Sequence, residues 1–242
     1  AVAGASVGAL NGAFLCMGDL KAAEELWGNL AYSQILNVED ETIRAIKTLG
    51  LKASTVPQLM AEARKVVSGQ GLDITPFKEL LEKYVDEEKI RSSPCDLYVT
   101  SLSVTDRREV VFDVKQAPSG TIKDVLLASA FFPAFKNEKL GGKTYLDGGM
   151  VNNVPVDVLA ERGYKNLIVI RIYGIGVDTE RRTELSEDVN VYRIAPRRNL
   201  GGILEFEKKK TRRNMTLGYF DARRLLYGLA GRRYYFYLPH TE

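Results

Sequence analysis

The spacing of apolar and polar residues changes along the chain and predicts an α/β fold. In residues 19–93 apolar side chains recur every three to four positions, which is typical of amphipathic helices. From Asp96 they alternate with polar residues, as in half-buried strands, and further strands and helices then follow one another. This order predicts a mostly parallel central sheet flanked by helices.

The block 19–93 is expected to form a helix-rich insertion or cap beside that sheet. Asp19 can cap its first helix, in which Leu20 and Trp27 lie on the apolar face and Trp27 is expected to join the core. Three further helices are predicted over residues 38–49, 56–68 and 75–85.

The strands are predicted mainly after Cys95. Residues 97–102 and 110–112 indicate two strands joined by a short turn, and residues 143–146 indicate a strand that ends at Asp147. Two later strands are expected over residues 166–173 and 190–195. Helices are expected over residues 121–130, 155–163 and 202–229.

Composition restricts the chemistry. With 242 residues, 45% of them hydrophobic and 27% charged, one globular domain is the expectation. No window approaches eighteen uncharged apolar residues, so no transmembrane helix is predicted. Two cysteines and one histidine are too few for a disulfide framework or a structural zinc site. We therefore expect no metal or cofactor, and we expect Cys16 and Cys95 to be buried free thiols.

The N-terminal stretch Gly4-Ala5-Ser6-Val7-Gly8 lies between a short apolar run and a helix that ends at Gly18. A G-x-S-x-G pattern between a strand and a helix is the context of a nucleophile elbow. Its two glycines are expected to permit a sharp turn and close packing of strand against helix, with Ser6 at the apex. The helix dipole and the Val7 N–H would favour an oxyanion at that point. Ser6 is therefore the candidate nucleophile.

Asp147 is the candidate base. The stretch Asp147-Gly148-Gly149 follows a predicted strand, and catalytic groups gather beyond the carboxyl ends of strands in open α/β sheets. The alternative is a turn aspartate that binds its own backbone. Because the only histidine is His240, the preceding residues offer no imidazole as a base. A free aspartate has a pKa near 3.9, so burial would have to raise the pKa of this carboxyl.

The stretch GASVGALNGA followed by YLDGGMVNNVPV resembles the patatin-like phospholipases, which are lipid acyl hydrolases with a Ser–Asp dyad. The segment ASAFFPAF (128–135) is similar to the stretch that precedes the family's aspartate motif. The resemblance covers residues 1 to about 173 and implies one patatin-like α/β domain over residues 1–242. It implies Ser6 as nucleophile, Asp147 as base, and esters of phospholipids or other acyl lipids as substrates.

Two alternatives to this dyad remain. The residues Ser6, Asp147 and His240 occur in the order of an α/β-hydrolase triad, although His240 lies in a terminal tail where fraying is expected. A lipid-binding scaffold could also keep the fold without the chemistry. The family's N-terminal strand and glycine-rich oxyanion loop have no counterpart before Ser6, so we expect the natural protein to continue upstream.

The C-terminal helical region 197–233 is basic. It contains eleven Lys and Arg residues against three carboxylates, in a chain whose net charge is only +3. Such a run is typical of a solvated helix face, and a contact surface for anionic lipid headgroups is the main alternative. No groove-reading motif accompanies the charge, so no nucleic-acid partner is expected. We expect a cytoplasmic protein, free or at a membrane surface, while a targeting signal upstream stays open.

Overall fold

The protein is an α/β structure with a central sheet flanked by helices, as the sequence predicted. The computed structural model describes residues 1–37, 71–133, 135–136, 138–172, 185–202, 205–231 and 236. The helices predicted over 38–49 and 56–68 lie outside these residues.

Most of the described strands and helices lie within a few residues of their predicted positions, but β4 and α4 were not predicted, and α7 begins at Lys208 rather than at residue 202. The strands are β1 (Val2–Ala5), β2 (Leu97–Ser103), β3 (Arg108–Asp113), β4 (Lys139–Leu140), β5 (Lys143–Asp147), β6 (Asn166–Ile170) and β7 (Asn190–Ile194). The α-helices are α1 (Val7–Met17), α2 (Leu20–Asn29), α3 (Thr75–Tyr84), α4 (Glu87–Ser92), α5 (Ile122–Ser129), α6 (Val156–Ala160) and α7 (Lys208–Tyr227). Two 3₁₀ turns lie at Tyr32–Gln34 and Gly148–Met150.

Strand β2 is the centre of a five-stranded sheet. Antiparallel β3 pairs with Tyr98 to Ser103 of β2 and so occupies one edge of that strand. The other edge is therefore shared between two strands. Parallel β1 pairs with residues 97–100, and antiparallel β5 pairs with residues 101–103. Because β1 and β5 run towards each other along this edge, their carboxyl ends meet in its middle.

The sheet is mixed, which corrects the expectation of a mostly parallel one. Within it only the β1–β2 pair is parallel, and the parallel pair β6–β7 forms a separate two-stranded sheet in the described part of the chain. Short turns join β2 to β3 and β4 to β5, and only antiparallel neighbours can be joined in this way. Arg107, Gly141 and Gly142 have the positive φ angles that such tight turns use.

The main core lies between the central sheet and helices α1 and α5. Its fully buried side chains include Phe14 of α1, Leu97 and Val99 of β2, and Leu126 of α5. Full burial of one such side chain stabilises the fold by about 1.5–3 kcal/mol. The described part of the block 19–93 shares this core, because the apolar face of α3 belongs to the same cluster.

The two cysteines are free thiols at the edge of this core. Cys16 is buried, as expected, whereas Cys95 is only partly buried. Burial raises the pKa of the Cys16 thiol to about 12, and the neighbouring Cys95 adds to the increase. Cys16 is therefore protonated at neutral pH and is not a ready nucleophile.

The apolar face of α2 is less buried than the sequence suggested. Asp19 does cap the helix, since its Oδ1 accepts a hydrogen bond of 3.0 Å from the Ala22 N–H. However, Leu20 is 62% exposed, and Trp27 is only partly buried. Both line a cleft of about 990 Å³ between α2 and α7, because α7 packs beside this face without closing over it. Trp27 therefore packs against the edge of the core, as expected in part, but it also faces the cleft instead of being enclosed.

None of the helices in the described part of the chain is long and apolar enough to cross a membrane.

Candidate active site

Ser6 forms the junction between β1 and α1, and its backbone is strained. Its φ of 51° and ψ of −122° lie in a region that residues other than glycine rarely adopt. Such a conformation costs on the order of 1–3 kcal/mol and persists only where the surrounding structure enforces it. A strained strand-to-helix turn with a serine at its apex is the geometry of a nucleophile elbow.

The residue Gly4 allows this turn, because β1 packs directly on the first turn of α1. A Cβ atom at Gly4 would lie 2.5 Å from the carbonyl carbon of Gly8 and 2.7 Å from the Ala9 nitrogen. No side chain fits there. At Gly8 itself, a Cβ atom would meet no described atom within 4 Å. Close packing of β1 against α1 was expected to require both glycines. It requires the absence of a side chain at Gly4 but not at Gly8.

The buried residue Ser129, at the end of α5, holds the elbow from below. Its Oγ accepts a hydrogen bond of 2.8 Å from the backbone N–H of Ser6 and donates one of 2.6 Å to the carbonyl oxygen of Thr100. Because Thr100 lies opposite Ala5 in the β1–β2 register, one hydroxyl links the elbow, the central strand and α5. In the sequence Ser129 is only part of the segment ASAFFPAF, and no role for it was predicted. Its only signal was a serine at the end of an apolar helix.

Asp147 ends β5 and lies opposite Ser101 in the register with β2. Its backbone N–H donates to the carbonyl oxygen of Phe131, 2.8 Å away. Its carboxylate Oδ1 accepts a 2.7 Å hydrogen bond from the Gly149 N–H, which caps the 3₁₀ turn that follows. The self-capping turn that the alternative interpretation predicted is therefore present. It orients the carboxylate without using all of its acceptor positions.

The two glycines after Asp147 keep this turn close to the sheet. A Cβ atom at Gly148 would collide with the carbonyl oxygen of Thr100, and one at Gly149 would lie 2.9 Å from Oδ1 of Asn153. Only glycine fits at Gly148, since its obstacle is the backbone of the central strand.

The structure places Ser6 and Asp147 at adjoining strand ends, because Ala5 lies opposite Thr100 and Asp147 lies opposite Ser101 in the register with β2. Asp147 keeps a partial opening to solvent, yet protein atoms pack closely around its carboxyl group. This burial raises the pKa of Asp147 from 3.8 to about 6, against the opposing effects of the Ser6 side chain and of the hydrogen bond from the Gly149 N–H. With a pKa near 6, the carboxyl is about 90% ionised at pH 7 and is a stronger base than a free aspartate.

The residue Val7 presents a backbone donor beside the Ser6 hydroxyl. It is the first residue of α1, where backbone N–H groups have no acceptor within the helix. No acidic side chain lies in this first turn to compete for them. The helix N-terminus also carries partial positive charge. The Val7 N–H at the start of α1 is therefore a candidate hydrogen-bond donor for an oxyanion.

Beneath Asp147, the buried residue Asn152 fixes the turn. Its backbone N–H donates to the carbonyl oxygen of Gly148 at 2.9 Å, and its own carbonyl accepts from the Thr100 hydroxyl at 3.3 Å. Its side-chain Nδ2 donates to Asp157 and Glu109, each at 2.9 Å. No role was predicted for Asn152, because nothing in its local sequence distinguishes it from a loop asparagine.

His240, the third member of the alternative triad, lies outside the described residues. Within the described residues, no group of three or more His, Cys, Asp or Glu side chains could hold a metal ion.

Known proteins are similar to the chain both in sequence family and in structure. A family model described as patatin-like phospholipase matches residues 1–160. Among solved structures, the chain is similar to VipD from Legionella pneumophila, with 15% sequence identity and a TM-score of 0.40. This similarity covers 96% of the chain but only 50% of VipD, so the chain spans about half the length of that protein. No curated protein sequence gives a significant match.

Proposed function

Because the chain belongs to the patatin-like phospholipase family, we propose that it hydrolyses lipid esters with Ser6 as nucleophile and Asp147 as general base. The substrates are the carboxylic esters of phospholipids or other acyl lipids. The observation that carries this proposal is the position of Ser6, at a strained elbow, next to a carboxyl group whose pKa is raised to about 6.

In the first half of the reaction, the Ser6 Oγ attacks the carbonyl carbon of the ester while its proton passes to Asp147. The carbonyl oxygen becomes an oxyanion and accepts a hydrogen bond from the Val7 N–H. The tetrahedral intermediate then collapses and the bond to the alcohol oxygen breaks. Asp147 returns the proton to that oxygen, which releases the alcohol and leaves the acyl group on Ser6.

The second half repeats these steps with water. Asp147 removes a proton from a water molecule, whose oxygen attacks the acyl carbon. When the second intermediate collapses, Oγ of Ser6 leaves and regains the proton from Asp147. The fatty acid departs and both side chains are restored, so no cofactor is consumed.

The raised pKa makes Asp147 a credible base without a histidine. An increase from 3.8 to about 6 makes proton uptake by the carboxylate roughly a hundredfold more favourable. Charge at the elbow is stabilised further by the α1 dipole, which contributes about 0.3–1 kcal/mol near a helix terminus. Both effects reduce the difference in pKa between the carboxylate base and the alcohol nucleophile.

A catalytically inactive lipid-binding scaffold is the second candidate. The conformation of Ser6 argues against it, because backbone strain of about 1–3 kcal/mol brings no benefit to a protein that only binds. A protein that only binds lipid also gains nothing from a poorly hydrated carboxylate, that of Asp147, placed beside the Ser6 hydroxyl.

A fluorophosphonate probe tests the proposal directly. The probe should attach covalently to the intact protein at Ser6 and block ester hydrolysis in proportion to labelling, because it traps an activated serine. Ser6→Ala should remain unlabelled, and Ser33→Ala, which removes an exposed hydroxyl elsewhere, should be labelled like the wild type. Folded protein that takes up no label at Ser6 would support the scaffold instead.

A further inference from the structure

Helix α7 exposes one face on which charged and apolar residues are separated along its length. Its first half exposes the cations Lys208, Lys209, Arg212 and Arg213. Its second half exposes Tyr219, Leu226 and Tyr227. At 100° per residue these side chains lie within an arc of roughly 140°, so they form a single surface, here called the α7 face.

Within the described part of the chain none of these four cations forms an ion pair, although Glu207 precedes Lys208 and Glu24 and Glu25 line the cleft beside Arg212. The single acidic residue of α7, Asp221, is buried on the opposite side, with its Oδ1 3.5 Å from Nε of Arg197. Lys210 points away from the face and pairs with Glu205. The first half of α7 therefore presents exposed positive charge at Lys208, Lys209, Arg212 and Arg213, which an external anion can contact.

The apolar half of the face is unusually exposed for its residue types. Tyr219, Leu226 and Tyr227 expose 55%, 56% and 64% of their surface. The Arg223 guanidinium lies over both tyrosine rings, 5.5 and 5.3 Å from their centroids, and donates a 2.6 Å hydrogen bond to the Tyr219 hydroxyl. This stacking holds the two rings side by side at the surface, where they are available to enter an apolar phase.

We propose that the α7 face docks the protein on bilayers that contain anionic phospholipids. The four cations contact the headgroups, while Tyr219, Leu226 and Tyr227 enter the boundary between headgroups and acyl chains. A helix with a basic polar part and exposed aromatic and leucine side chains has the composition of helices that lie in the membrane interface. Leu226 favours a lipid partner over a nucleic acid, because a base or phosphate gives an aliphatic side chain little to bind.

The position of the α7 face relative to the candidate active site supports this docking. The cleft between α2 and α7 is lined by Arg212 and Tyr219 of the face on one side and by Trp27 on the other. Nε1 of Trp27 donates a 2.8 Å hydrogen bond to Asn11 of α1, the helix that starts beside Ser6. A bilayer on the α7 face would therefore lie against the cleft that adjoins the nucleophile helix. The docking itself does not depend on the chemistry proposed for Ser6.

The test measures binding of the full chain to sedimented vesicles. Vesicles of phosphatidylcholine with roughly one third phosphatidylserine should bind the wild type, and neutral phosphatidylcholine vesicles should bind it much more weakly. Binding to the anionic vesicles should weaken as salt rises from about 50 to 500 mM, because screening shortens the reach of the charges. Equal binding to both vesicle types, or binding that ignores salt, would overturn the proposal.

Two variants separate the halves of the face. The triple change Lys208→Gln, Lys209→Gln and Arg212→Gln should weaken binding to anionic vesicles by about a hundredfold, since each cation contributes about fivefold. The double change Leu226→Ser and Tyr227→Ser should weaken the vesicle binding that remains at high salt by about tenfold, because this binding comes from apolar contacts.

The matched control removes three exposed cations from other elements, by Arg108→Gln, Lys136→Gln and Lys139→Gln. It should bind like the wild type, and a loss equal to that of the α7 variant would mean that net charge alone is responsible. Tighter binding to duplex RNA or DNA than to vesicles at equal salt would also overturn the proposal.

Ser6→Ala distinguishes this proposal from the proposed function. It should bind vesicles like the wild type, while the α7 variants should hydrolyse a soluble short-chain ester at the wild-type rate. Docking can therefore hold if Ser6 is not the nucleophile, and the chemistry can hold if the α7 face does not bind lipid.

Discussion

The backbone N–H of Ser6 and the side chain of Ser129 are joined by a 2.8 Å hydrogen bond, although 123 positions separate them in the sequence. Ser129 passes this contact on to the Thr100 carbonyl of the central strand. The strained conformation at the elbow is thus supported by a group that takes no part in the proposed chemistry. Ser129 is a positioning residue whose removal should affect both stability and activity.

We predict that Ser129→Ala destabilises the fold by about 1–3 kcal/mol, because it leaves the Ser6 N–H buried without an acceptor. The elbow should also relax, lowering kcat for ester hydrolysis by about tenfold or more with little change in KM. Chemical unfolding and steady-state kinetics measure the two effects. Ser33→Ala, at an exposed hydroxyl, should change neither, and a wild-type kcat in Ser129→Ala would refute the positioning role.

The proposed dyad predicts a specific pattern of inactivation. Ser6→Ala and Asp147→Asn should each lower kcat by about a thousandfold or more with the fold retained, because the nucleophile or the proton acceptor is lost. The amide oxygen introduced by Asp147→Asn can still accept the Gly149 hydrogen bond, so the loss would be chemical. Asp19→Asn should retain full activity, since asparagine caps helices as well as aspartate does.

The same assays decide between the dyad and the alternative triad. His240→Ala should stay within a few-fold of the wild-type rate if Asp147 is the base. In a triad, loss of the imidazole costs several powers of ten. Chelators should leave the rate unchanged, as the proposed mechanism uses no metal. A collapse of kcat in a folded His240→Ala protein would exclude the dyad.

The raised pKa of Asp147 predicts how the rate depends on pH. The carboxyl must be ionised to accept a proton, so kcat/KM should be half-maximal near pH 6 and fall about tenfold per pH unit below it. A profile measured with a neutral ester, whose own charge does not change, checks this. A midpoint near pH 4 would mean that burial does not perturb the carboxyl in solution.

The same pKa also predicts an effect on stability. Because the folded pKa lies above the unfolded value of 3.8, the folded state binds more protons between pH 4 and 6, and stability falls as pH rises through this window. Above pH 6 the ionised carboxylate therefore costs the fold up to about 3 kcal/mol. Asp147→Asn should raise Tm at pH 8 and much less at pH 4. A Tm difference that is equal at both pH values would contradict this.

Two glycine substitutions four residues apart should have opposite effects. Gly4→Ala places a methyl group 2.5 Å from the Gly8 carbonyl carbon and should destabilise the fold by about 3 kcal/mol or more. Gly8→Ala meets no described atom within 4 Å and should be neutral or stabilising by up to about 1 kcal/mol, since alanine favours helices. Thermal unfolding of the two variants measures the difference, and equal losses would show that both glycines serve packing.

The elements close to Ser6 were predictable from the sequence, because their cause is local. A small apolar run, two glycines and a helix closed by Gly18 specify a strand, a tight turn and a helix within twenty residues. The hairpin of β2 and β3 was predictable for the same reason, since alternation and turn residues occur together in one stretch. Asp147 could be placed at a strand end, and the patatin-like resemblance made it the candidate partner of Ser6.

Only the tertiary structure decided how these pieces meet. A period-two pattern identifies a strand but does not specify its partner or its orientation in the sheet. It therefore could not show that β1 and β5 approach each other along one edge of β2 and place Ser6 near Asp147. The roles of Ser129 and Asn152 and the raised pKa of Asp147 depend on atoms far away in the sequence. Local propensities act over a few residues, whereas strand pairing, burial and electrostatic environment arise only when distant segments pack together.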